Sequence, residues 1–383
     1  MRFVLLYLLI IIVLCSCQIK EIKHGQIINS DALQINLSNR ENYYSLDQVV
    51  DTIWYTSLET KDSITPLRKI DKLVILNNKI YVLDIKYAAV KVFGISGKYE
   101  HDIGGLGTSK GLYIKIADLV YNKFRNTICI LCNSPRKKVF EYSLNGSFLR
   151  EISLENGSTA FGIRNPNAFY YFLNKGGEGL YEDYNLVLTD SGNTIKEAFF
   201  NVPENIKARI GTTGGIYACE DSLYFNPPLT NTYYALSDNG TAKSSYTISF
   251  GKDNLSSKFE SLNDMMQNIR KYSHVGRSFV KDSNFVGLNY IANGAISKQA
   301  FYSLKSKHVA IADSSNPLNY LFRNEIFQSH DTLITAAFIP QLKKWAKTHE
   351  KIVKNRLPKL YDEIMRKKES DNPILIFYKL KYF

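Results

Sequence analysis

The chain has 383 residues, 45% hydrophobic and 22% charged, with a formal net charge of +12. So much apolar material excludes a disordered chain, and the length allows two ordinary domains or one large all-β domain. Aromatics reach 13%, led by 26 tyrosines, which favours strands over helices.

In chain order, Arg2 is followed by "FVLLYLLIIIVL", an apolar run of signal-peptide length and too short to span a bilayer comfortably. "LCSC" comes next, and its Leu14, Ser16 and Cys17 resemble a bacterial lipobox. That resemblance implies a thioether lipid on Cys17, cleavage just before it, and a cell-envelope protein held at the outer membrane by acyl chains, periplasmic or surface-exposed. An ordinary signal peptide or an N-terminal anchor helix is the alternative. Residues 1–16 are therefore expected to be a signal peptide, 17–45 a lipidated N-terminus and tether, and 46–383 the folded domain. The mixed-charge "QIKEIKHGQ" after Cys17 is expected to be flexible.

A repeated hairpin organises the rest. "VKVFGISGKYEHDI" (90–103) returns as "VFEYSLNGSFLREI" (139–152), without a gap and offset by 49. "YNLVLTDSGNTIKEAFF" and "TYYALSDNGTAKSSYTISF" repeat it, so turn glycines fall at Gly97, Gly146, Gly192 and Gly240. In the last three the turn reads Asn-Gly or Ser-Gly, the chemistry of a tight hairpin that requires positive φ. Each hairpin follows a similar strand: "NKIYVLD", "NTICILC", "NAFYYFL" and "DSLYFNP". Further upstream, "KIDKLVI" (69–75) and "KIADLVY" (115–121) match at an offset of 46. Four short strands recurring every 45–50 residues define a β-propeller blade.

Two stretches interrupt the pattern. Residues 253–281 carry helical spacing through Leu255, Phe259, Leu262, Met266 and Ile269, after which "NFVGLNY", "KQAFYSL" and "KHVAIAD" form a fifth unit without the turn glycine. Residues 341–370 place Leu342, Trp345, His349, Ile352, Val353, Leu360 and Ile364 on an i, i+3/i+4 stripe. The same stretch crowds ten basic residues: Lys343, Lys344, Lys347, Lys351, Lys354, Arg356, Lys359, Arg366, Lys367 and Lys368. The expected fold is all-β, a six-bladed β-propeller of four-stranded antiparallel blades with helical insertions near 253–281 and 341–370. Strands from both ends, "DTIWYTSLE" and "NPILIFYKLKYF", are expected to share the closing blade, with Trp54 and Ile376 in one sheet.

The "LET" after the first strand, "YVLD", the "VFxxxGK" hairpin, the Gly-rich exit and the terminal "DNPILIFYKLK" resemble the six-bladed β-propeller lipoproteins of gut-type Gram-negative bacteria, distant relatives of NHL-repeat propellers. The resemblance spans residues 41–383. It implies a lipidated propeller exported to the envelope and says little about chemistry. The missing glycine in the fifth unit departs from it.

A catalytic constellation is not legible. The six histidines, His24, His101, His274, His308, His330 and His349, neither cluster nor recur at blade spacing, so neither a metal site nor a cofactor is expected. Cys129 and Cys132 lie three apart on a strand, point to opposite faces and share no metal. With Cys219 they leave an odd number and no disulfide framework. "IGGLGTSKG" (103–111), "NKGGEG" (174–179) and "IGTTGG" (210–215) lack the Lys-[Ser/Thr] ending of a P-loop; the first and third read as inter-blade crossovers. As a ligand-contacting rim they would bring Lys69, Lys110 and Lys115 together. The basic stretch is either a solvated helix face or a surface for anionic lipid or an envelope partner, and nucleic acid is not expected for an exported protein. The reading is a non-catalytic binding or scaffold propeller for a glycan, peptide or protein partner. A lyase or hydrolase acting on polysaccharide or peptide at the channel mouth is the alternative.

Overall fold

The computed structural model describes residues 22–38, 43–61, 65–133, 135–206, 208, 210, 213–255, 259–294, 296–313 and 316–383. Cys17 and the apolar N-terminal stretch lie outside them. The described residues begin with three short strands, β1 (Gln26–Ile28), β2 (Leu33–Asn36) and β3 (Tyr43–Ser45), the single-turn helix α1 (Leu46–Val49), and the long strand β4 (Val50–Ser57).

Six sheets follow in a closed ring. Blade 1 is β5 (Lys72–Leu76), β6 (Lys79–Asp84), β7 (Ala89–Gly94) and β8 (Tyr99–Asp102). Blade 2 is β9 (Ile116–Asn122), β10 (Thr127–Cys132), β11 (Lys138–Ser143) and β12 (Phe148–Ser153). Blade 3 is β13 (Ala160–Asn165), β14 (Ala168–Phe172), β15 (Tyr184–Thr189) and β16 (Ile195–Asn201). Blade 4 is β17 (Gly215–Cys219), β18 (Ser222–Asn226), β19 (Thr232–Leu236) and β20 (Thr241–Ser249). Blade 5 is β21 (His274–Lys281), β22 (Phe285–Ala292), β23 (Ile296–Ser303) and β24 (Val309–Ile311). Blade 6 joins β25 (Phe327–Ser329), β26 (Thr332–Ala337) and β27 (Ile374–Leu380) to β4 from the other end of the chain. There Phe377 pairs with Trp54 and Ile376 with Tyr55, and the Trp54 and Phe377 rings stack 5.5 Å apart, so the ring closes as expected.

The apolar core is divided among the seams between blades. Strand side chains alternate between sheet faces, and in a propeller both faces meet a neighbour. On β27, Leu375 and Phe377 join the seam with blade 1, whereas Ile374, Ile376 and Tyr378 join the seam with blade 5. On β10, Cys129 packs toward blade 3 and Cys132 toward blade 1, which is the opposite-face placement expected of the C-x-x-C spacing. All three described cysteines are free and buried, and burial pushes each thiol up to about 12. In the seam between blades 4 and 5, Phe279 lies against Tyr217, Tyr224, Tyr233 and Tyr246, stacked on Tyr233 at 4.1 Å.

Three of the four expected turn glycines take the left-handed conformation, Gly97 at φ 86°, Gly146 at 88° and Gly240 at 80°. In the third hairpin Asn193 takes it instead, at φ 70°. The Asp190 carboxylate accepts from the Gly192 and Thr194 amides, and the Asn193 side chain donates to the Ser153 carbonyl of blade 2 at 2.6 Å. An asparagine supplies both the backbone shape and that inter-blade bond. The fifth blade, which lacks the glycine, uses Lys307 at φ 65°.

Two boundaries differ from expectation. The insertion expected at 253–281 is shorter: its helix α2 (Leu262–Asn268) is followed at His274 by the innermost strand of blade 5. Met265 is the methionine that turns inward, and Met266 is 65% exposed. Of the positions with helical spacing, Leu262 and Met266 lie on α2 and Ile269 on the turn that follows it, whereas Leu255 and Phe259 precede the helix. The same spacing obscured the strand that begins at His274. The tether expected over 17–45 is, from Ile22 on, a belt. His24 bridges to Ala198 of blade 3, β1 and β2 pair in parallel with β20 of blade 4, and β3 pairs with β24 of blade 5. The belt thus covers three outer edges that would otherwise present unpaired amides and carbonyls. The insertion expected at 341–370 is present as α3 (Ile339–Thr348), α4 (Glu350–Arg356) and α5 (Pro358–Arg366), with Leu342, Trp345, Val353, Leu360 and Ile364 buried and Ile352 exposed. No helix among the described residues is long and apolar enough to cross a membrane.

Truncating Phe279 to alanine should cost about 3–5 kcal/mol of unfolding free energy, because four rings lose their common partner. Truncating the half-exposed Trp54 should cost clearly less; comparable losses in urea titrations would contradict a core divided by seams. Glu141 supplies a pH prediction. Burial acts to raise its pKa, but the Thr127 hydroxyl, at 2.6 Å, and the Arg150 and Arg125 guanidiniums outweigh it, leaving the carboxyl below its ordinary value of 4.5. A depressed carboxyl stabilises the fold above pH 4.5 and loses that contribution as pH falls through its folded-state value. Glu141→Gln should be less stable than the parent by about 2 kcal/mol at pH 7, with the gap narrowing at pH 3. A constant gap would contradict the charge-based account.

Candidate binding surface at the channel mouth

Successive strands of a blade run in opposite directions, so the connections divide between two faces of the ring. The second-to-third loops and the inter-blade crossovers emerge on one face, here the crossover face. Both helical insertions are there by topology: α2 lies on the crossover from blade 4 to blade 5, and α3 to α5 on the second-to-third loop of blade 6. The N-terminal ends of the innermost strands β5, β9, β13, β17, β21 and β25 converge on the same face around the channel.

Around this mouth the charged side chains belong to several blades. Lys69, just before β5, reaches Asp71 at 2.8 Å and Glu325, just before β25, at 3.3 Å, tying blade 1 to blade 6. Burial acts to lower the Lys69 pKa, yet its two carboxylate partners outweigh that and raise it. Lys72 reaches Asp118 of blade 2 at 2.8 Å, and the other Asp118 oxygen accepts the Phe161 amide of blade 3 at 3.0 Å. One nearly buried carboxylate therefore latches three consecutive blades. Asp71 also accepts the Ile85 amide at 2.9 Å. Across the channel, Arg277 of β21 is exposed, and the Tyr217 hydroxyl of β17 is held above its ordinary pKa, chiefly by burial, with Arg277 lowering it and Glu325 raising it.

The three lysines singled out from the sequence separate. Lys69 and Lys115 occupy equivalent positions, each three residues ahead of a latch residue, Lys72 or Asp118, at the mouth. Lys69 is taken up by two carboxylates, whereas Lys115 is exposed. Lys110 stands over the Phe148 ring on β12, the outermost strand of blade 2, at 5.9 Å, away from the other two. Arg277, Tyr217 and Glu325 were not foreseen. They lie in the fifth blade, in a half-apolar fourth-blade strand and in a crossover, and no repeat offset marks them.

Two features lie farther out, at blade 6. Among the described residues, Lys344, Lys347, Lys351, Arg356, Lys359 and Lys368 of the blade 6 insertion make no ion pair, while Lys354 pairs with Glu350, and Arg366 and Lys367 with Glu363. An open groove of about 480 Å³, lined by Tyr55, Lys359, Asp362 and Arg366, runs between α5 and β4. Ser57 donates to Glu363 there at 2.7 Å, seating the helix on the closing strand. No group of three or more His, Cys, Asp or Glu side chains among the described residues is placed to hold a metal ion.

A closed ring of six four-stranded antiparallel sheets defines the class, a six-bladed β-propeller. Residues 32–379 match DUF4934, a domain of unknown function, and the chain belongs to that family. It is similar in structure to a Bacteroides fragilis protein described as exported, at 18% identity, covering 93% of this chain and all of that one with a TM-score of 0.71. A member of the DUF4221 family from Bacteroides vulgatus is also similar, at 10% identity, covering 87% of this chain and 97% of that one with a TM-score of 0.55. No curated protein matches the sequence.

The geometry separates latch from surface. Asp118→Ala should lower the unfolding free energy by about 2 kcal/mol, since it strands a buried amide and a lysine. Lys115→Ala should change it by less than about 0.5 kcal/mol. Equal effects in denaturant titrations would mean that Asp118 is no latch.

Proposed function

We propose that the protein is a cell-envelope lipoprotein, acylated at Cys17, whose propeller is a non-catalytic binding or scaffold module for a glycan, peptide or protein partner. The observation that carries the non-catalytic part is the state of the mouth carboxylates. Asp71, Asp118 and Glu325 each accept from a lysine, and Asp71 and Asp118 also from a main-chain amide. Asp118 and Glu325 are committed to holding blades together and Asp71 to bonds within blade 1, which makes them poor candidates for shuttling protons during a reaction. The exposed Arg277 and Lys115 and the partly buried Tyr217 offer charge and an aromatic edge instead, a combination suited to recognising a polar ligand. Lys69, matched by its acidic neighbours, serves in this reading as a support for the mouth, and Lys110 belongs to the outer rim. The lipobox-like sequence and the likeness to a protein described as exported support the envelope location.

The test is a thermal-shift screen of soluble envelope oligosaccharides and short peptides against the parent and a Lys115→Ala/Arg277→Ala double variant. A ligand at a hundred times its Kd should stabilise the parent by about 2.7 kcal/mol. The double variant should lose at least tenfold in affinity, and Lys115→Ala alone should weaken binding while keeping its melting temperature without ligand. Turnover of any screened compound, abolished by replacing a mouth carboxylate with its amide, would overturn the non-catalytic reading.

A further inference from the structure

We propose that the propeller rests against its bilayer by the rim of blade 3, and that the basic helices of blade 6 are thereby held away from that bilayer. This rests on the acylation of Cys17 proposed above. The argument is one of chain length. Five peptide units separate Cys17 from Ile22, and fully extended they span about 18 Å at most.

At Ile22 the chain is already part of the fold. The Ile22 side chain packs into the seam of blades 2 and 3. The Ala198 amide donates to the Lys23 carbonyl at 3.0 Å, the Gly25 amide donates to the Ala198 carbonyl at 2.9 Å, and the Lys23 ammonium pairs with Glu197. The His24 ring meets the Tyr184 hydroxyl at 3.2 Å. A Cβ on Gly25 would lie 1.8 Å from a Phe199 ring carbon, so only glycine fits where the belt crosses β16. From there the belt leads away through blades 4 and 5 to the closing strand of blade 6, and no slack can be drawn from it without breaking strand pairing.

The ring is large beside this leash. Four strands about 4.8 Å apart on each side of a channel make it roughly 40 Å across. Blades 3 and 6 are diametrically opposed in a ring of six. His24 and Ala198 pair in parallel, so Ile22 lies toward the N-terminal end of β16, on the face opposite the one that bears both helical insertions. An anchor within about 18 Å of that point, on the far rim of a ring roughly 40 Å across, leaves the blade 6 insertion on the side away from the bilayer. The unpaired cations of the insertion, Lys344, Lys347, Lys351, Arg356, Lys359 and Lys368, then face the aqueous space. Anionic headgroups of the anchoring leaflet would instead be met by the edge around β16.

Depth-dependent quenching tests this on the full lipidated chain in vesicles. The native thiols, Cys129, Cys132 and Cys219, are buried, so single introduced cysteines carry the label. Lys196→Cys places a fluorophore on β16 and Lys351→Cys places one on α4, both at exposed positions. Energy transfer to acceptor lipids should be at least about threefold stronger from position 196 than from 351, with or without anionic lipid. Equal transfer, or stronger transfer from 351 on anionic vesicles, would overturn the proposal. A flexible Gly-Ser spacer of about twenty residues between Glu21 and Ile22, long enough to reach around the rim, should erase the difference. A difference that survives the spacer would show that the leash is not its cause. Cys17→Ser should release the chain from vesicles; if it stays bound, the acylation reading fails separately from the geometry.

Discussion

Everything in this molecule depends on burying both faces of each blade. A twisted four-stranded sheet with apolar side chains on both sides cannot be stable alone, and here each face is covered by the next sheet, with helices adding to the seam of blades 5 and 6. Six apolar clusters sit in the six seams, and consecutive residues of one strand serve different clusters. Phe377 and Ile376 are neighbours in sequence yet belong to opposite seams of blade 6. Such an arrangement is finished only when the last blade meets the first. The pairing of β4 with β27 is therefore what allows the other five seams to persist, since an open ring would leave two sheet faces in water.

Polar groups reinforce the seams in a way that shapes the mouth. Asp118 takes one bond from each neighbouring blade, and Asn372 takes the Leu67 amide while donating to the Glu59 and Thr65 carbonyls at the junction of blades 6 and 1. Buried acceptors of this kind must be satisfied, and satisfying them across a seam converts a desolvation cost into registration of one blade against the next. The channel mouth is ringed with charge largely because the ring needs latches there. A functional surface has to be sought among the side chains that the latches leave over.

The N-terminal belt links architecture to placement. By pairing with β20 and β24 it covers the exposed edges of blades 4 and 5, and its first described residues seat on blade 3. The outer strands of blades 1 and 2 are protected differently: β8 is four residues long and reads Tyr-Glu-His-Asp, and β12 carries Arg150 and Glu151. Short, charged edges resist pairing with a foreign strand. The same belt that completes the sheet edges thus determines where on the rim the chain departs toward its N-terminus.

The repeat made the architecture legible. Turn glycines at regular offsets, recurring second strands and matching ends specified six blades and the shared closing sheet, because hairpin chemistry and strand alternation are local and repeat with the unit. The Cys129 and Cys132 placement was legible for the same reason. What escaped had no local signature. The strand at His274 was hidden behind a helical stripe, Asn193 displaced Gly192 because of a bond to another blade, and residues 22–38 and 43–45 read as a tether because nothing in their own sequence shows the edges they complete. The mouth was least legible of all. Lys69 and Lys115 share a repeat position, but whether each is neutralised depends on Asp71 and Glu325, the latter contributed by the far end of the chain. Sequence by itself determined the period, the strands and the closing pair, since these follow from residue order; only the tertiary structure decided which charges meet, since closing the ring brings together residues some 250 positions apart.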